Sequence, residues 1–108
     1  MDIVELQRRA HDTAVKKGWW SEPRSFAEMV SLLHSEISEA LEEYRMGKRL
    51  DEVYYTNGEP KGVPIELADL MIRLADTCEA LQIPLTQAVS IKLTYNETRE
   101  YRHGGKKL

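Results

Sequence analysis

The sequence predicts an all-α protein, and three observations support this class. Apolar residues recur at helical spacing over four long segments. Capping residues, glycines and prolines mark the ends of those segments. No segment alternates convincingly between apolar and polar residues, as a strand would. A chain of 108 residues can bury one core but not two, so we expect a single domain over residues 1–108, folded as a four-helix bundle.

Helix 1 is predicted over about residues 3–17. Asp2, with Glu5 three positions later, is a typical N-terminal signal, and Gly18 after two lysines is a typical C-terminal one. The apolar positions repeat at helical spacing and define the face that should pack on the rest of the domain: Ile3, Leu6, Ala10 and Ala14.

Helix 2 should begin after Ser25, because Ser25 and Glu28 have the spacing of a capping box. It should run to about Met46, where Gly47 ends it. Its apolar residues follow each other at steps of four and three, which places them on one stripe suited to a left-handed bundle: Phe26, Val30, Leu33, Ile37, Ala40 and Tyr44.

Residues 48–63 lose this periodicity and contain an Asn-Gly pair, a proline and further glycine, so we predict a long loop with turns. Loops of this length in small domains are often functional. Pro64 suits the first position of helix 3, predicted over about 64–81, and Pro84 separates that helix from helix 4. Helix 4 is predicted over about 85–102.

The composition excludes several classes of function. A net charge of −3 argues against binding a nucleic-acid polymer, which needs concentrated lysine and arginine. A mean hydropathy of −0.50 gives no sign of a membrane span or membrane partner. The charged N-terminal stretch does not resemble a signal peptide, and the single cysteine, Cys78, cannot form an internal disulfide. We therefore expect a cytoplasmic protein.

Acidic residues are arranged on one side of both central helices. On helix 2, Glu36, Glu39 and Glu43 fall within an arc of about 60° that borders the apolar stripe. Helix 3 is apolar nearly all round, and its charged residues share one face: Glu66, Asp69, Arg73 and Asp76. Such spacing also occurs on solvated helix faces, but a stripe this narrow on so apolar a helix favours an internal cleft.

Converging carboxylates need a cation to offset their charge when they are buried. Magnesium takes oxygen ligands and is commonly held by a few carboxylates together with substrate phosphates. Zinc fits less well, because His11, His34 and His103 are scattered along the chain and Cys78 is alone. The acidic pattern therefore predicts Mg²⁺ as the cofactor.

Helix 4 carries a basic face formed by Lys92, Asn96, Arg99 and His103, at steps of four, three and four. A guanidinium fork, an ammonium and an amide together suit the oxygens of a polyphosphate. The same residues could instead complement the negative end of the helix dipole.

The segment Glu36-Ile-Ser-Glu39, followed after 26 residues by Glu66-Leu-Ala-Asp69, resembles the ExxE…ExxD signature of the MazG-like, all-α nucleoside triphosphate pyrophosphohydrolases. Two further segments strengthen the resemblance, which spans about residues 18–107: Gly62-Val-Pro-Ile-Glu-Leu-Ala-Asp-Leu and Lys92-Leu-Thr-Tyr-Asn-Glu-Thr-Arg99.

This resemblance implies hydrolysis of a nucleoside triphosphate to the monophosphate and pyrophosphate, with attack at the α-phosphorus. It implies metal ligation by Glu36, Glu39, Glu66 and Asp69, with Asp76 as a possible further ligand, and phosphate binding by Lys92, Asn96 and Arg99. Some members carry a glutamate immediately before the first ligand, where this chain has Ser35. Glu43 is a candidate to substitute partly for that glutamate. We expect Glu36 or Glu39 to orient or deprotonate the attacking water.

The family also implies a homodimer or homotetramer, which agrees with a helix 3 too apolar for three neighbours to cover. Trp19, Trp20 and His34 are candidates for contacting the nucleobase, although tryptophans are more often core anchors. Two other functions stay open: a phosphoribosyl-ATP pyrophosphohydrolase of the same superfamily, and a non-catalytic helical bundle that binds a nucleotide.

Overall fold

The computed structural model describes residues 1–108 and is mainly helical, which confirms the all-α class. It contains five helices and one small antiparallel sheet, in this order: α1 Ile3–Lys16, α2 Phe26–Arg45, β1 Tyr54–Thr56, β2 Glu59–Lys61, α3 Val63–Ala80, α4 Leu85–Glu97 and the single turn α5 Arg102–Gly105. The first three long helices agree with the predicted bounds to within a residue or two.

The predicted caps of α1 and α2 are both present. The Asp2 carboxylate accepts a hydrogen bond from the Glu5 backbone N–H at 2.8 Å. The Ser25 hydroxyl accepts one from the Glu28 backbone N–H at 3.1 Å. Each cap satisfies a donor that the first helical turn would leave unpaired, so both helices begin where the sequence indicates.

The prediction that residues 48–63 contain no strand is wrong, because β1 and β2 form a hairpin there. Tyr54 pairs with Lys61 and Thr56 with Glu59. The turn is the Asn57-Gly58 pair, whose φ angles of 53° and 81° are the positive values of a type I′ hairpin turn. Each strand has only three residues, which is too short for alternation to be visible in the sequence.

Helix 4 is shorter than predicted, ending at Glu97 instead of about residue 102. The Thr98 hydroxyl and backbone N–H both donate to the Tyr95 carbonyl, which tightens and closes the last turn. Arg102 and His103 then have φ angles of 51° and 53°, so the last turn, α5, is not a regular helix. Arg99 and His103 therefore do not continue the face of α4.

Helix α3 occupies the centre of the fold, with α1 on one side and α2 on the other, whereas α4 packs chiefly against α1. Only eleven residues are buried. The radius of gyration is 16.5 Å, compared with about 13 Å for a compact domain of this length. The single chain thus has an open arrangement. None of its helices combines the length and the apolar character that crossing a membrane requires.

Gly62 fixes the join between the hairpin and α3. Its φ of 123° is unfavourable for residues with a side chain. A Cβ at this position would lie 2.2 Å from the Glu52 carbonyl oxygen, so the loop backbone approaches closely enough to exclude any side chain. The approach sets where α3 begins and hence where its carboxylates lie.

We expect Gly62→Ala to lower the free energy of unfolding by about 3 kcal/mol or more, because it adds a backbone clash to the strain of a positive φ. Gly47→Ala is the matched control: Gly47 has a φ of 86° with open space around it, so it should cost only about 1 kcal/mol. Urea unfolding followed by circular dichroism measures both values. Equal losses would contradict a role for the close approach.

Candidate metal centre

The structure brings together three of the predicted metal ligands, Glu36 and Glu39 from α2 and Glu66 from α3. One carboxylate oxygen of each lies within 4.8 Å of the others. The three-residue spacing on α2 places both of its glutamates on one face, and α3 packs against that face. The convergence that the sequence predicted is therefore present within a single chain.

Glu66 is the most constrained of the three carboxylates. Its Oε2 atom is buried and has no hydrogen-bond partner. Burial, a hydrogen bond with Glu39 and the negative charges of Glu39, Asp69 and Glu36 together raise the pKa of Glu66 from 4.5 to about 7, and burial is the largest of these causes. An unpartnered buried carboxylate oxygen among like charges is a position that a proton or a cation would stabilise.

Asp69 lies one helical turn after Glu66, on the exposed side of the cluster. Burial raises the pKa of Asp69, and the charge of Glu39 adds to this shift. The Arg73 guanidinium and a hydrogen bond with Glu66 act in the opposite direction. Asp69 therefore shares the electrostatic environment of the cluster, as expected for a fourth ligand.

Arg73 neutralises part of this negative charge through an ion pair with Glu36. Its Nε and Nη2 atoms lie 3.0 Å and 2.9 Å from the same oxygen, Glu36 Oε1. Glu36 is only 9% exposed, so the pair compensates a charge that burial would otherwise make costly. The second Glu36 oxygen has no hydrogen bond to the protein and can still bind a cation.

Asp76, predicted as a possible further ligand, has a different environment. Its Oδ1 atom accepts a hydrogen bond from Trp20 Nε1 at 2.8 Å and lies 2.9 Å from His11 Nδ1. It is not part of the group formed by Glu36, Glu39 and Glu66. Asp76 thus joins α3 to α1 and to the segment between α1 and α2, and these contacts account for its charge on α3 without a metal.

Glu43, the remaining acidic residue of the α2 face, is hydrogen bonded to the hairpin. The Tyr54 hydroxyl lies 3.0 Å and 2.8 Å from its two carboxylate oxygens and donates to them. This hydrogen bond raises the pKa of Tyr54, as do burial and the charges of Glu43, Glu52 and Glu66. Glu43 anchors the hairpin to α2, so it is poorly placed to act as a base.

An open cavity of about 530 Å³ lies beside the carboxylates. Glu36, Glu39 and Asp69 line one wall, and α1 with the segment after it forms another. This volume is in the range of cavities that bind small molecules such as nucleotides. The sequence did not predict the α1 wall, although Leu6, Ala10, Thr13 and Ala14 follow helical spacing along it.

The three candidate nucleobase-binding residues lie in different environments in the structure. Trp19 lines the cavity and is 62% exposed, which leaves its ring free to stack on a ligand. Trp20 instead turns toward α3, hydrogen bonded to Asp76 and edge-on to the His11 ring. His34 is exposed on α2 and does not line the cavity.

The predicted phosphate-binding residues do not line the cavity of their own chain. Lys92 and Asn96 lie on α4, and Arg99 lies beyond its end. Lys92 Nζ and the Arg99 guanidinium are 4.9 Å and 5.4 Å from the centre of the Tyr95 ring, so both cations contact that ring. A phosphate role for these residues would require α4 to approach a cavity of another subunit.

The donor set fits a hard divalent cation. All the candidate ligands are carboxylate oxygens, which is the chemistry that Mg²⁺ prefers, and the unpartnered Glu66 oxygen supplies a position for it. Comparison of the chain with family models, with curated proteins and with solved structures finds no match. The geometry of the site therefore carries the functional argument.

The pKa of Glu66 leads to a prediction about stability. Its value is raised in the folded chain, so the folded state holds this proton more tightly, and the free energy of unfolding falls as the pH rises from about 4.5 to about 7. Without divalent ions, Glu66→Gln should have little effect on the melting temperature at about pH 5 but should raise it at about pH 8.

With magnesium near neutral pH, the wild type should instead have a higher melting temperature than Glu66→Gln, because the cation replaces the proton on the wild-type glutamate and the amide is a weaker ligand. Thermal unfolding in EDTA and in Mg²⁺ across this pH range measures both effects. A difference between the two proteins that is the same at every pH would contradict the assignment.

Proposed function

We propose that this chain is a magnesium-dependent nucleotide pyrophosphohydrolase of the MazG-like type, acting on a nucleoside triphosphate or a related nucleotide. The observation that carries the proposal is the group of three glutamates with its buried and unpartnered Glu66 oxygen, of which Glu36 and Glu39 line a nucleotide-sized cavity. The same cavity is bordered by an exposed tryptophan and by cations, which are the groups that a base and a phosphate chain would contact.

Glu36, Glu39, Glu66 and Asp69 would hold Mg²⁺. When bound there, Mg²⁺ supplies Lewis-acid chemistry, which increases the acidity of water and neutralises charge on phosphate oxygens. Arg73 holds Glu36 in place through its ion pair, so the carboxylate stays directed at the cluster. Burial and the charges of its neighbours raise the pKa of Glu66, so a cation bound beside it would favour its carboxylate form.

Glu39 is the better candidate for the general base that activates the attacking water. Glu36 is committed to Arg73, whereas Glu39 is exposed and lines the cavity, where water and substrate can reach it. In the proposed reaction the Glu39 carboxylate accepts the proton of the water that attacks the α-phosphorus, and pyrophosphate leaves. Trp19 would stack on the nucleobase and so orient the α-phosphorus toward the Glu39 carboxylate.

A panel of nucleotides assayed for pyrophosphate release with and without Mg²⁺ tests the proposal. We expect magnesium-dependent release from at least one nucleoside triphosphate. Release from phosphoribosyl-ATP alone would favour the related enzyme of histidine synthesis. Nucleotide binding without release from any member of the panel would favour a non-catalytic bundle, and would refute the proposed activity.

Glu39→Gln and Asp69→Asn should each reduce turnover by about 10²-fold or more, because one removes the base and the other a ligand. Glu42→Gln is the matched control, since Glu42 is an exposed carboxylate of α2 that pairs with Arg45 outside the cluster. It should leave turnover unchanged. Circular dichroism verifies that all three variants are folded, and wild-type turnover in both active-site variants would overturn the roles assigned to them.

We also propose that the chain assembles with itself, as a homodimer or homotetramer. Large apolar side chains are exposed on every long helix, including Ile37, Leu41 and Tyr44 along one side of α2 and Leu67 and Met71 on α3. Monomeric proteins rarely leave such surface uncovered. An assembly would also bury the faces of α2 and α3 that border the carboxylates.

Light scattering coupled to gel filtration should give a mass of two or four times the 12.5 kDa of one chain. Leu41→Glu should shift the protein toward a single chain, because it places a charge in the covered apolar face. Glu42→Lys, a change at the neighbouring polar position, should not alter the mass. A wild-type protein that is strictly monomeric at micromolar concentration would contradict the assembly.

A further inference from the structure

The cavity face of α1 has a distinctive composition. It carries a stretch of small side chains, Ala10, Thr13 and Ala14, and a cation lies on either side of this stretch, Arg9 within the helix and Lys17 at its C-terminal cap. The small residues leave space for a ligand to lie along the helix. Lys17 follows Arg9 by eight positions, which corresponds to a distance of about 12 Å along the helix axis.

A third cation, Arg24, borders the same cavity from the segment between α1 and α2. Its guanidinium carbon lies 5.7 Å from the centre of the Trp19 ring and 5.6 Å from that of the Trp20 ring. The two rings hold the guanidinium by cation–π contacts, which fix its position without neutralising its charge.

These three cations have little compensation from the protein. The only ion pair among them joins Arg9 to Glu5 at 4.0 Å, and both of those side chains are largely exposed. Lys17 and Arg24 have no ion pair, and none of the three reaches the carboxylates of the opposite wall. The cavity therefore has an acidic wall on α2 and α3 and a basic wall on α1 that do not meet.

We propose that Arg9, Lys17 and Arg24 form the wall that binds a polyphosphate chain, so that α1 and the segment following it hold the phosphates of the ligand. A ligand that bridges the two walls must present negative charge to the cations and, through a bound dication, to the carboxylates. The separation of Arg9 and Lys17 selects an elongated anion with several charges over a single phosphate.

The inference rests on the proposed function for the identity of the ligand as a nucleotide. It differs from the phosphate contacts predicted on α4, because these cations lie in the cavity of the same chain as the carboxylates. It also gives α1 a role that neither the metal site nor the Trp19 ring supplies.

The sequence provides matched controls, because Arg8 and Lys16 adjoin Arg9 and Lys17 on the same helix but do not line the cavity. The experiment compares Arg9→Gln/Lys17→Gln with Arg8→Gln/Lys16→Gln, which changes the net charge equally. Isothermal titration with inorganic tripolyphosphate and with a non-hydrolysable nucleoside triphosphate, each in Mg²⁺, measures binding without turnover.

We expect the Kd for both probes to rise about tenfold in the cavity variant, a conservative value for losing two charged hydrogen-bond donors that are partly exposed. The control variant should bind as the wild type does. Circular dichroism establishes that both are folded, and Arg24→Gln provides a second, independent variant outside α1.

The proposal and the enzymatic activity can fail separately. Selective loss of tripolyphosphate binding in the cavity variant, in a protein that hydrolyses no nucleotide, would support the basic wall and refute only the activity. Hydrolysis with an unchanged KM in the cavity variant, equal losses in both double variants, or a wild-type chain that does not bind tripolyphosphate would overturn the basic wall.

Discussion

The crowding of carboxylates between α2 and α3 is the constraint on which the rest of the site depends. Four acidic side chains share a region where solvent is partly excluded, and only one of them, Glu36, has an arginine partner within the cluster. Burial first, and then the charges of the neighbouring carboxylates, raise the pKa values of both Glu66 and Asp69. A proton or a cation bound among these carboxylates would reduce the repulsion.

The same constraint explains how the neighbouring elements are arranged. The lack of a side chain at Gly62 allows the Glu52 carbonyl to approach closely. The Tyr54 hydroxyl donates to Glu43, and Asp76 accepts a hydrogen bond from Trp20 and contacts His11. Each contact positions an element beside the cluster while adding no cation to it. The ordered surroundings thus hold the carboxylates close together at the expense of local stability, which is typical of a site whose ligand supplies the missing interaction.

The sequence predicts caps and periodic spacing, and it misses features that are too short to show a period or that depend on distant partners. Caps at Asp2 and Ser25 and the spacing of Glu36, Glu39 and Glu66 are local or periodic signals, and the structure agrees with them. The hairpin is too short to show a period, and the end of α4 depends on one hydroxyl contact. The partners of Asp76 are 56 and 65 positions away, so helical spacing alone made it look like another ligand. The closed bundle and its assembly stay predictions, because a single chain cannot show what covers its apolar faces.

No ion pair joins the two charged walls of the cavity, so neither wall neutralises the other. If Arg9, Lys17 or Arg24 could reach the carboxylates, internal ion pairs would neutralise both walls, and a ligand would have to break those pairs before binding. The small side chains of α1 lie between Arg9 and Lys17, and Arg24 contacts the two tryptophan rings. Arg73 is the exception, because from its position on α3 it forms an ion pair with Glu36, and its charge also acts on Asp69. A ligand that is anionic along its length and carries a dication satisfies both walls at once, whereas an anion without a metal or a metal without an anion satisfies only one.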